Sequence, residues 1–363
     1  MLRRRLILFF KLAVAFGLIY WLAASGRIDL RKLADVGERW PWFVAAQVPF
    51  DIIMLLAAYR WRLLLRAQGI HYTFMDTFSL TMIGQLFNQV VIGSTGGDMV
   101  KAYAVAMEHP GRKSGGIMSV VVDRLVGLIV LIVFALGAMS FNLELIRSRA
   151  ELTYMAAGIG LALIVALGGL LVFYSDRLRR NPIVGAVLSW IPFREKLATV
   201  AEAVYVYKFH PREVALSVVV SFFVHVAVVI MNLLLAKALI PAPLPWASFF
   251  FLIPIAQVGM AVPINPPGAI GTAEGIYEYL LPLAGVPHGA MICILQRFTY
   301  YLWAALGAVF YVRRKGRVAG AVQAALSEDA KPLLGGPQDD AGPEPKERMP
   351  AAPAPASEPS RSP

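Results

Sequence analysis

Asp51, Asp98, Lys101, Asp123, Arg124, Glu274, Glu278 and Arg297 stand in or beside strongly apolar stretches. Charged groups in such surroundings are costly to desolvate, and they persist where they pair, gate or bind something. Asp98 and Glu274 each follow a glycine-rich break, where a new helix is expected to begin. A carboxylate there has two uses: it can cap free amides at a helix start, or it can titrate or pair with a cation in a polar groove. Gly96, Gly97, Gly268 and Gly271 permit tight turns and let backbone amides face an anionic group. Arg124 and Arg297 are the strongest anion-binding candidates, with Lys101 beside Asp98 as a further cation. Arg297 lies deep in the last apolar segment, so its guanidinium needs a carboxylate such as Glu274 or a phosphate. Arg124 follows Asp123 and either pairs with Asp123 or Asp98 or holds a ligand. Asp123 and Asp51 join Asp98 and Glu274 as candidate gating or proton-carrying acids.

Other residues read as structural. Arg60, Trp61 and Arg62 mark a helix end at a membrane interface, and His225 in an apolar helix reads as a packed, hydrogen-bonded histidine. The single cysteine, Cys293, excludes an internal disulfide, and no Cys/His cluster suggests a metal. A P-loop, GxSxG, HExxH or dinucleotide fingerprint in proper context is also missing, so no cofactor is expected and ATP-driven or familiar hydrolase chemistry has no support.

The elements that must position these groups follow from composition. Apolar residues make up 58% of the chain and charged residues 16%, against about 45–50% and about 25% in soluble domains; mean hydropathy is +0.63. The expected class is an all-α polytopic membrane protein, with lipid as its solvent. Spanning segments are expected at roughly 6–24, 43–59, 118–141, 152–173, 214–236 and 290–312. Two further apolar regions, about 74–107 and 246–283, are interrupted by Gly/Pro breaks and read as re-entrant hairpins or broken helices. The net charge of +11 is assigned to basic residues at the cytoplasmic face, and no nucleic acid is expected as a partner.

Charge distribution selects the topology. With both interrupted regions re-entrant, Arg3 to Arg5, Arg60, Arg62, Arg66, Lys101, Arg112, Lys113, the basic run from Arg177 to Arg212 and Arg313 to Arg317 share the side of the N-terminus. Only Arg27, Arg31, Lys32, Arg39, Arg147, Arg149 and Lys237 then lie outside. The positive-inside rule prefers this arrangement, with six crossings, two hairpins and both termini cytoplasmic. The hairpins enter from opposite faces, as in the inverted repeats of transporters. Leu197, Val200, Ala201, Val204 and Tyr207 recur at helical spacing, which suits a helix lying in the interface or packed on the bundle. Residues 1–315 are read as the membrane domain and 316–363 as a disordered Pro/Ala-rich cytoplasmic tail, the stretch from Pro332 being nearly free of large apolar residues.

Several short motifs, in order, carry a resemblance: Ala58-Tyr-Arg-Trp-Arg-Leu-Leu-Leu65, Asn88 to Gly97-Asp98, Val122-Asp-Arg-Leu125, Pro267-Gly-Ala-Ile-Gly-Thr-Ala-Glu274 and Gln296-Arg-Phe-Thr-Tyr300. Together they resemble the flippase-like transmembrane region of lysylphosphatidylglycerol synthases and its stand-alone relatives, over roughly residues 1–315. The resemblance implies a bacterial inner-membrane protein that moves, or helps move, a lipid between leaflets. Lys101 stands where Arg is expected in many relatives, and Ala269 where a second Gly is common. No aminoacyl-transferase domain follows the last helix, so synthase activity is not expected and the chain is expected not to be an enzyme.

The favoured expectation is a lipid translocator that holds an anionic phospholipid headgroup between its hairpins. Its rivals are a proton-coupled transporter of a small polar solute, an intramembrane lipid enzyme using Asp98 and Glu274, and a scaffold that docks a membrane biosynthetic enzyme through the Pro-rich tail.

Overall fold

A computed structural model describes residues 33–90, 96–141, 143–174, 205–261 and 269–326. Among these residues the secondary structure is entirely helical: α1 (Leu33–Glu38), α2 (Trp40–Ala45), α3 (Gln47–Ala67), α4 (Phe74–Val90), α5 (Gly96–Glu108), α6 (Lys113–Ser140), α7 (Leu143–Ser148), α8 (Ala150–Tyr174), α9 (Pro211–Leu239), α10 (Trp246–Ala261), α11 (Thr272–Leu280) and α12 (Gly289–Leu326). Among the described residues, five helical stretches are long and apolar enough to cross a membrane: 40–67, 110–140, 150–169, 211–239 and 289–325. They match five of the six expected crossings; the sixth, 6–24, lies outside the described residues, as do most of the basic run 177–212 and the Pro-rich tail. The protein is an all-α polytopic membrane protein. Large apolar side chains such as Ile164, Val165 and Leu171 on α8 and Phe222 and Phe223 on α9 point outward, a distribution that lipid tolerates and water does not.

The two interrupted regions each fold back on themselves. In the first, α4 and α5 run antiparallel: Tyr72, just before α4, donates to Glu108 at the end of α5, while Asn88 Oδ1 near the other end accepts from the Gly97 amide at 2.9 Å. The helices touch at Gly84 and Gly97, where a Cβ added to Gly97 would lie 1.9 Å from the Gly84 carbonyl oxygen. No larger residue fits at Gly97 without moving backbone. In the second, α10 packs on α11 and on the short 3-10 turn Leu281–Ala284 that follows it. Ile276 reaches to within 3.3 Å of a Cβ built on Gly259. The entry to α11 is tight: Ala269 (φ 51) and Gly271 (φ 81) both occupy the left-handed region.

One hydrophobic cluster centres on α9 to α12 with Phe249, Phe251, Tyr277 and Met291 fully buried; another surrounds the first hairpin with Trp61, Leu80, Ile83 and Val100. α12 belongs to both. It continues to Leu326, past the expected domain boundary at 315, because Val318, Ala321 and Val322 are buried against the base of the first hairpin. Arg314, paired with Asp76, fastens the same contact. Tyr207, expected on the apolar face of a cytoplasmic helix, sits in a 3-10 turn; it is buried and donates to the Leu64 carbonyl at 3.1 Å. Burial raises its phenol above the ordinary tyrosine range.

Candidate functional site

A cavity of about 380 Å³ lies where both hairpins meet α3, α6 and α12. Its walls carry Asp98 and Lys101 from α5, Asp123 and Arg124 from α6, Arg60 from α3 and Arg297 from α12. These groups are far apart in the sequence, and packing of the first hairpin against α3, α6 and α12 brings them to one place.

Asp98 sits in the first turn of α5, buried, with its two oxygens given to two cations. Lys101 Nζ lies 3.2 Å from Oδ1, one turn further on, and Arg124 Nε donates to Oδ2 from α6. Lys101 is also held 4.9 Å above the Trp61 ring, a cation–π contact. The Asp98 side chain is 10% exposed and that of Arg124 is 58% exposed, so the arginine is accessible from the cavity it lines while its partner is sheltered. Asp98 therefore serves cations at the cavity wall.

Glu274 combines both roles open to it from the sequence. Its Oε2 accepts from the Gly271 amide at 2.7 Å, completing a cap at the start of α11, while Arg297 grips the carboxylate through Nε and, at 3.1 Å, through Nη2. Arg297 Nη2 also donates to the Ala269 carbonyl at 2.9 Å. At 14% and 4% exposure these side chains form an enclosed lock on the tip of the second hairpin. The guanidinium at this depth thus takes a carboxylate and a backbone carbonyl, the kind of partner its position demanded.

Asp123 does not pair with Arg124. It accepts two bonds from Arg60, at 2.7 and 2.9 Å, and Arg60 Nη1 donates to Ser221 Oγ at 3.0 Å, joining α3, α6 and α9. Arg60 is thus a buried ion-pair residue rather than an interfacial belt residue, because α3 continues to Ala67 and carries it inside the bundle. His225 bonds the Gly127 carbonyl at 3.0 Å, as a packed histidine should. Asp51 is half-buried on α3 and takes no part in the cavity wall. Glu278 accepts from the Ala290 amide at 2.9 Å and so holds the start of α12.

The glycines behave differently from the sequence expectation. The Gly97 amide is spent on Asn88 and the Gly271 amide on Glu274, so neither faces the cavity as a free donor. Gly96 is buried at the start of α5, and Gly268 lies outside the described residues. Sequence reading missed a polar stripe: Gln85, Asn88 and Gln89 line the cavity from α4, and Tyr277, Gln296 and Tyr300 form a hydrogen-bonded chain with links of 2.9 and 2.7 Å. The one-turn spacing of Gln85, Asn88 and Gln89 in an apolar helix was the available signal.

Lys101, Arg124, Arg60 and Arg297 meet Asp98, Asp123 and Glu274, and Asp98 is shared by two of the cations. Among the described residues the cluster has one cation more than it has carboxylates, and the surplus lies where Arg124 is exposed. Such a site attracts a single negative charge.

A sequence model of the lysylphosphatidylglycerol synthase TM region matches residues 8–307. The chain belongs to that family. No curated protein and no solved structure matches it. The residues that carry the resemblance to the lysylphosphatidylglycerol synthase TM region converge in space, since Arg60, Asp98, Asp123, Arg124, Glu274 and Arg297 all lie in or against this cavity. Membership supports a multi-pass membrane protein associated with lipid synthesis or translocation.

Proposed function

We propose that this protein is a lipid translocator that takes the phosphate of an anionic phospholipid into the cavity between its two hairpins. The observation that supports this most strongly is the sharing of Asp98 by Lys101 and Arg124, with Arg124 open to the cavity. A phosphodiester carries the single negative charge that would balance the surplus, and a guanidinium recognises it through parallel hydrogen bonds. The cavity volume of about 380 Å³ lies in the range of small-molecule sites, about 300–1,000 Å³. It suits a headgroup whose acyl chains stay in the bilayer.

In this reading Arg124 and Lys101 contact the phosphate, and Asp98 releases them to it and takes them back. Glu274 and Arg297 keep the second hairpin in shape. The hairpins are re-entrant from opposite faces of a bacterial inner membrane, with both termini cytoplasmic. The mirrored separations support the inverted repeat: Asp98 and its arginine are 26 residues apart, Glu274 and its arginine 23. In each case the acid opens the second helix of a hairpin and the arginine lies on the long helix after it. Rocking one unit against the other would then expose the cavity to each leaflet in turn. No catalytic step is assigned, and a membrane biosynthetic enzyme is a candidate partner.

Mass spectrometry of lipids retained after purification from native membrane tests the ligand class. Anionic phospholipid should be enriched on the wild type and reduced on Arg124→Gln. Equal retention by both proteins, or enrichment of zwitterionic lipid alone, would overturn the proposal. Uptake of a soluble glycerol phosphate into proteoliposomes, without lipid exchange, would point instead to a small-solute transporter.

A further inference from the structure

A second basic cavity, about 620 Å³, lies between α2, the end of α9 and the segment 240–244 that leads into α10. It is walled by Arg39, Trp42, Lys237 and Trp246. Arg39 Nη1 is buried without any hydrogen-bond partner, and neither Arg39 nor Lys237 forms an ion pair with a carboxylate among the described residues. Lys237 Nζ sits 4.6 Å above the Trp42 ring, which orients the ammonium without neutralising it. Two cations, one with an unsatisfied buried donor, thus share a cavity with two aromatic walls and, among the described residues, no acid.

We propose that Arg39 and Lys237 form a second phosphate-binding station at the membrane face opposite the cytoplasmic one. Ser221, which bonds Arg60 beside the central cavity, and Lys237 lie on the same helix, and at about 1.5 Å per residue they are roughly 24 Å apart along its axis. That separation takes a ligand from the central cavity toward one interface. Trp42 and Trp246, 41% and 66% exposed, suit the headgroup level, where indoles concentrate. The buried Arg39 donor completes its bonding when an anionic oxygen enters, as does the ammonium beside it. The identity of the ligand as a lipid phosphate rests on the translocator reading; the capture of a phosphate does not. The station would hold the headgroup before entry to, or after exit from, the central cavity.

Native mass spectrometry of the full chain, titrated with phosphatidylglycerol and with phosphatidylcholine, tests the station. The wild type should bind phosphatidylglycerol in two steps, and the double variant Arg39→Gln with Lys237→Gln should weaken one of them roughly tenfold, as loss of charge-assisted contacts predicts. Arg124→Gln should remove the other step, so failure of this station and failure of the central site are told apart. The charge-retaining pair Arg39→Lys with Lys237→Arg should keep most binding. Melting temperature without anionic lipid should be unchanged in the glutamine pair. A lowered melting temperature with unaltered phosphatidylglycerol binding would show an interfacial anchor only and overturn the inference. Glycerol phosphate should compete weakly; competition as strong as that of phosphatidylglycerol would overturn the lipid assignment.

Discussion

The two hairpins carry the same chemistry in opposite states of access. Each places a carboxylate in the first turn of its second helix and pairs it with an arginine on the next long helix. In the first hairpin the arginine is 58% exposed and competes with Lys101 for one carboxylate. In the second the arginine is 14% exposed and is also bound to a backbone carbonyl, while its carboxylate caps a helix. A charge pair that is enclosed and fully bonded holds structure, whereas one with a surplus cation at an open wall has capacity left for a ligand. Chemically similar residues therefore acquire different work from the number of partners around them.

Breaking the enclosed pair should have the largest effect. Arg297→Met alone strands Glu274, 4% exposed, without its cation and should cost about 3–5 kcal/mol, seen as lost folded yield or a large drop in melting temperature. Combining it with Glu274→Gln should restore most of that loss, since the stranded charge is gone. If the double variant is as unstable as the single one, the pair is more than an exchangeable lock.

The hairpin contact comes next. Gly97→Ala forces a methyl toward the Gly84 carbonyl, and overpacking of this kind costs about 1–3 kcal/mol. Thermal unfolding in detergent reads it directly, and a neutral result would mean the two helices do not approach as closely as described. The smallest effect is expected at Ala269, whose positive φ costs about 1–2 kcal/mol for a residue with a Cβ. Ala269→Gly removes that strain but loosens the unfolded chain, leaving a net gain of about 1 kcal/mol or less. A loss of stability would show that the methyl is packed to advantage.

Much of this was legible in the sequence, for identifiable reasons. Spanning segments follow from length and apolarity, and Arg297 announced its need for a partner because a guanidinium stays charged at any depth. The glycine-rich breaks located the starts of α5 and α11. Other features depended on contacts between distant segments. Arg60 beside Trp61 reads as an interfacial pair until α3 is seen to run on to Ala67 and bring it to Asp123. The amides of Gly97 and Gly271 looked available for a ligand, but side chains of Asn88 and Glu274 reach them first. The extension of α12 to Leu326 was hidden because its basic stretch resembles the end of a span, while Val318, Ala321 and Val322 find apolar partners on distant segments, the first hairpin among them.

Lipid exchange between leaflets in proteoliposomes tests the central claim most directly. With a fluorescent anionic lipid, Arg124→Gln should slow exchange at least about tenfold, as expected for loss of one charge-assisted contact, while its melting temperature stays near that of the wild type. The Arg297→Met, Glu274→Gln double variant should keep most of the wild-type rate. Wild-type exchange by Arg124→Gln, together with a folded but inactive double variant, would contradict the account and place the ligand on the second hairpin.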